Sequence, residues 1–118
     1  DDAIAFFTGA LGFDLLEDTP ITDTKRWVRV APPKAGAGAQ TALLLAQPKN
    51  AAERAGIGNQ TGGRVGFFLH TDDFAAAHAR MTAAGVHFLE APRQEPYGTV
   101  AVFTDPWGNT WDLIEPKA

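Results

Sequence analysis

Cysteine is absent from the 118 residues, which excludes disulfides, thiolate metal sites and thiol nucleophiles. No apolar run approaches the ~18 residues of a membrane span, and no stretch has the pattern of an export signal. Basic side chains are outnumbered, with 10 Lys and Arg against 14 Asp and Glu; the formal charge of -4 argues against nucleic acid or an anionic membrane as partner. The glycines at Gly56, Gly58, Gly62 and Gly63 lack the spacing of a phosphate loop or a dinucleotide motif and read as a connector. What remains, 45% hydrophobic and 20% charged residues, is the composition of one soluble globular domain, with the cytoplasm as its expected setting.

The chain is organised around Tyr97 to Pro116, two extended runs joined by Asp105-Pro106-Trp107-Gly108-Asn109, where each turn residue type has its own reason to be present. Asp112 lies inside the second, otherwise apolar run. A carboxylate there needs a partner, a metal or water. Upstream, Asp1-Asp2 caps an expected helix with Ile4, Phe7 and Leu11 on one face, stopped by Gly12. Strands are expected over Phe13–Glu17, Trp27–Val30 and Gln40–Gln47, with loops over Pro20–Lys25 and Lys34–Ala39 and a connector over 48–63 holding a short helix near Ala51–Ala55. A strand over Arg64–Thr71, a helix capped by Asp72-Asp73 with Phe74, Ala77, Met81 and Ala84 on one face, a strand over Val86–Glu90 and a loop over Pro92–Pro96 lead into the final hairpin.

The two halves answer each other: Gly12 to Glu17 with Gly85 to Glu90, Trp27 to Val30 with Thr99 to Val102, and Gln40 to Leu45 with Asn109 to Ile114. The implied fold is α+β, a βαβββ unit used twice in a single domain. Module one is 1–48, the connector 49–63 and module two 64–118. The first copy begins at its helix, so a further strand is expected ahead of Asp1, by truncation in preference to an edge covered by another chain. A sheet with helices on one face can line a cavity with the other. The wall expected there comprises Trp27, Arg29, Leu43, Phe68, His70, Tyr97, Phe103 and Asp112, with Val28 and Val30 packed on the helix. Arg29 could anchor an anion, and His70 or Asp112 could shuttle a proton. His78 and His87 are expected on exposed surfaces.

Ala3-Ile4-Ala5-Phe6-Phe7 through Phe13, Thr71-Asp72-Asp73-Phe74-Ala75-Ala76 and, above all, Asp105-Pro106-Trp107-Gly108-Asn109-Thr110-Trp111-Asp112-Leu113 resemble the vicinal-oxygen-chelate superfamily of glyoxalase I, bleomycin-resistance proteins and extradiol dioxygenases. The resemblance implies paired βαβββ modules, commonly as a homodimer, and in the enzymatic members a divalent ion held by four His and Glu ligands. Carried over to this chain, the first ligand position falls in the strand expected upstream. The second falls at Leu43, the third at Gly66 and the fourth at Asp112. With one carboxylate left, the resemblance points to a small-molecule binder with a degenerate metal site and no cofactor. The alternatives are a Zn, Ni, Fe or Mn-dependent lyase, isomerase or dioxygenase acting on vicinal oxygens, and a cofactor-free enzyme using His70 or Asp112.

Overall fold

The computed structural model describes residues 1–33 and 41–117. The expected Lys34–Ala39 loop and Gln40 lie outside them. The chain forms two compact units, Asp1–Pro48 and Lys49–Ala118, both mixing helix and sheet in an α+β arrangement.

In the first unit a short helix, α1 (Asp2–Ala5), runs into a π-helical turn over Phe6–Ala10 that buries Phe7. The wider turn is visible in Leu11 N donating to Phe6 O at 3.2 Å. It lets Phe7, Leu11 and Phe13 all reach the core, Phe7 and Phe13 with ring centroids 5.3 Å apart. Asp1 makes no side-chain cap; its carboxylate accepts from Arg26 Nη1 at 2.7 Å. The sheet is β1 (Asp14–Thr22), β2 (Lys25–Ala31) and β3 (Leu43–Leu44), in the order β1-β2-β3. The expected loop at Pro20 is therefore strand. Pro20 is tolerated because β1 is an edge, where a missing N–H need not leave a ladder bond unmade. The expected strand from Gln40 to Gln47 shrinks to two described residues, with Leu45 N still bonded to Val28 O at 3.0 Å.

The second unit opens with α2 (Ala51–Gly56). Its cap is reciprocal: Glu53 N donates to Asn50 Oδ1 at 2.8 Å, and Asn50 Nδ2 donates to Glu53 Oε2 at 2.9 Å. Then follow β4 (Phe67–His70), α3 (Phe74–Ala83), β5 (His87–Phe88), β6 (Arg93–Glu95), β7 (Gly98–Thr104) and β8 (Thr110–Pro116). The sheet order is β4-β8-β7-β5, with β6 also paired to β7; β6 replaces the expected Pro92–Pro96 loop. Asp73 caps α3 through Ala76 N at 3.0 Å, and Phe74, Ala77 and Met81 are buried.

The glycine connector does more than join. Gly58 has φ +72, and an added Cβ would run into the Trp107 carbonyl; Gly62 has φ +67 with open space beyond it. Gly58→Ala is expected to cost about 2–4 kcal/mol, and Gly62→Ala only the ~1–2 kcal/mol of a left-handed alanine. Urea midpoints of the two variants compare them directly, and equal losses would remove the close approach at Trp107 as a cause.

Candidate functional site

Register decides which side chains share a face, because directly paired residues project to the same side. In the second unit Phe103 pairs with Trp111, and Trp111 with Phe67. Their rings form a continuous stack: Phe67 to Trp111 at 4.5 Å, Trp111 to Phe103 at 5.8 Å, Phe103 to Phe88 at 5.6 Å. The stack continues to His78 of α3 at 4.3 Å and from His78 to Phe74 at 5.6 Å. This is the face α3 covers.

Two expectations are thereby corrected. Phe103 does not share a face with Asp112: it is 0% exposed on the helix-covered side, where the alternation of β7 sends it. His78 is not on an exposed surface, since it is held between two phenylalanine rings.

On the opposite face stand Phe68, His70, Val102 and Asp112, with Phe68 and Val102 the direct neighbours of Asp112 on either side. Phe68 is 67% exposed, a large apolar surface left in water beside a carboxylate. His70 is exposed on the same face, two positions further along β4. Asp112 Oδ1 is buried and has no hydrogen-bond partner among the described residues. Desolvation raises the pKa of Asp112, opposed by the positive charge of Arg93 and aided by the negative charge of Glu90.

Neither Arg93 nor Glu90 is among the expected site residues, Glu90 standing at the end of the expected strand Val86–Glu90 and Arg93 in the expected loop Pro92–Pro96. Arg93 pairs across to Val100, which places it on the Asp112 face. Its Nε donates to Glu90 Oε1 at 2.8 Å and its Nη1 to Glu95 Oε1 at 2.7 Å. Glu90 also accepts from Val102 N at 3.1 Å. The Arg93 hydrogen bond holds the pKa of Glu90 below the usual carboxylate range, and Glu90 in turn raises that of Arg93. Tyr97, the other expected contact nearby, is 53% exposed. The three-residue spacing of Glu90 and Arg93 is a pairing signal only on a helix, and here Glu90 lies between the short strands β5 and β6 and Arg93 in β6.

In the first unit Trp27 is 40% exposed and remains a candidate contact. Arg29 Nε donates to Glu17 Oε1 at 3.1 Å, so an incoming anion would compete with a carboxylate already in place. Leu44, not Leu43, is opposite Arg29; Leu43 is opposite Val30, on the other face of β2. The expected grouping of Leu43 with Arg29 is corrected by that register.

The donor set of the described residues does not fit a divalent ion. Leu43 and Gly66 offer no ligand atom, and a side chain at Gly66 would meet Thr61 Cγ2 at 2.9 Å. Among the described residues no three His, Asp or Glu side chains group closely enough to hold one. A groove of about 540 Å³ in the second unit is lined by Thr71, Asp72, Gln94, Thr99, Glu115 and Lys117. None of the expected site residues lines it. Several of its polar groups are already bonded, Glu115 to Phe74 N at 2.7 Å and Gln94 to Thr99 Oγ1 at 3.0 Å. Among the described residues no helix is long and apolar enough to cross a membrane.

Comparison with known proteins gives a consistent answer. A family model described as Glyoxalase/Bleomycin resistance protein/Dioxygenase superfamily matches residues 1–113. An uncharacterized protein of Shewanella frigidimarina is 47% identical over 116 residues, covering 98% of this chain and 84% of the relative. The crystal structure of TnmS3, an antibiotic binding protein from Streptomyces sp. CB03234, is similar with a TM-score of 0.71 and 35% identity over 96% of this chain and 83% of that one. The crystal structure of UcmS2 is similar with a TM-score of 0.77 and 30% identity over 95% of this chain and 86% of that one.

Proposed function

Since the chain belongs to the Glyoxalase/Bleomycin resistance protein/Dioxygenase superfamily, we propose that it is a small-molecule-binding protein with a degenerate metal site, using the face of the second sheet away from α3. The observation that carries this reading is Phe68: a phenyl ring 67% exposed, directly beside a half-buried carboxyl with an unpartnered oxygen. An exposed aromatic with a few polar groups converging on it suits an organic ligand. The antibiotic-binding description of TnmS3 supports the same reading. His70, Tyr97 and Asp112 are the further candidate contacts, with Asp112 positioning the ligand by hydrogen bonding. The reading includes a homodimer working in the cytoplasm.

Naphthylmethanol, a neutral aromatic probe, tests it by fluorescence titration. Phe68→Ala is expected to weaken binding about tenfold, the scale of one aromatic contact plus its buried area. Unchanged affinity would end the assignment of this face. Stoichiometric Zn, Ni, Fe or Mn in protein purified without chelator would instead favour a metal-dependent lyase, isomerase or dioxygenase.

A further inference from the structure

Both arginines near the expected ligand contacts are already engaged, Arg29 by Glu17 and Arg93 by Glu90 and Glu95. On the Asp112 face one guanidinium, Arg93, therefore meets two carboxylates, and Asp112 is a third that it does not bond. Asp112 Oδ1 is out of water without a donor, a costly state for a carboxylate. Its neighbour Phe68 is 67% exposed to solvent. A cation is attracted both to an aromatic face and to an unpaired carboxylate, and an anion is repelled by both.

We infer that this face selects ligands by charge: it takes aromatic molecules that carry a protonated amine, the ring against Phe68 and the ammonium toward Asp112, in preference to their carboxylate counterparts. The inference rests on the binding reading above and reverses the anion preference expected from Arg29. An ammonium brings three donors to a carboxyl whose Oδ1 has no partner among the described residues. A carboxylate ligand would add negative charge beside Asp112, and the one guanidinium on this face already faces the carboxylates of Glu90 and Glu95.

Three probes sharing one ring separate the two ideas: naphthylmethylammonium, naphthylmethanol and naphthoate, titrated against the full chain by calorimetry. The ammonium is expected to bind about tenfold or more tighter than naphthoate. Asp112→Asn, which removes a charge from a buried site that makes no hydrogen bond through Oδ1, is expected to fold and to close that gap. Phe68→Ala is expected to weaken all three probes together and keep their order. Naphthoate binding as tightly as the ammonium, or a gap that survives Asp112→Asn, overturns the charge preference while the Phe68 effect keeps the binding face. Three probes indifferent to Phe68→Ala, or no binding by any of them, overturn the face and the preference together.

Discussion

Replacing Asp105 with alanine is expected to cost about 3–5 kcal/mol, a large share of the roughly 5–15 kcal/mol that holds a domain of this size together. Asp105 is 5% exposed, and its carboxylate is fully used. Oδ1 accepts from Trp107 N at 3.1 Å and Asn109 N at 3.0 Å; Oδ2 accepts from Asn109 Nδ2 at 2.8 Å and Trp111 Nε1 at 3.3 Å. Alanine would leave these four donors without their acceptor, the Trp111 Nε1 bond among them being buried. The turn also closes the β7–β8 hairpin, and its backbone bond from Asp105 N to Asn109 O at 3.0 Å depends on that geometry. Asp105→Asn keeps one acceptor but sets an amide against Asn109 Nδ2 or Trp111 Nε1, so about 1–3 kcal/mol is expected. Urea unfolding followed by tryptophan fluorescence measures both. An alanine variant within about 0.5 kcal/mol of the parent protein would show that the four bonds are not what fixes the turn.

The contrast with Asp112 shows what the sequence could and could not reveal. Both acids were visible beside the same turn, and Asp112 drew suspicion because it interrupts a strand. Nothing in the residue types told which of the two would be satisfied. Asp105 owes its four partners to the way the turn folds back on itself, whereas Asp112 is flanked by Phe68 and Val102, whose side chains carry no donor for Oδ1.

The duplication was legible at the level of pairing, since Val30 opposite Leu43 answers Val102 opposite Asp112. Faces were harder. Assigning Val30 to the helix side and Leu43 to the cavity side made two expectations that exclude each other, because paired residues project together. On β7 the expected grouping of Phe103 with Asp112 fails by one residue, because Val102 pairs with Asp112 and Phe103 with Trp111 on the other face. The short strand β6 was hidden by Pro92 and Pro96, which bracket it without entering it. The π-helical turn left no mark in the sequence that apolar periodicity could detect, because one extra residue per turn still buries Phe7 and Leu11.

Phe103→Ala and Phe68→Ala are expected to give opposite results, although both remove the same ring from the same sheet. Phe103 is 0% exposed, stacked on Trp111 and in tilted contact with Phe88, so its loss opens a cavity in the core for about 3–5 kcal/mol. Phe68 is mostly in water, and its removal is expected to change stability by less than about 0.5 kcal/mol. For ligand affinity the order reverses: measured where both variants are folded, naphthylmethanol should be weakened by the loss of Phe68 and little affected by the loss of Phe103. If Phe103→Ala does not fold, Phe103→Leu is expected to fold with about 1–2 kcal/mol lost and near-normal affinity. A Phe103 variant that keeps its stability and loses the probe would put that ring in the ligand's path and contradict the register of β7 and β8. The comparison is stringent because it depends on strand parity alone: Phe67 and Phe103 go to the helix side through Trp111, and Phe68, one residue on from Phe67, is thereby committed to the side of Asp112.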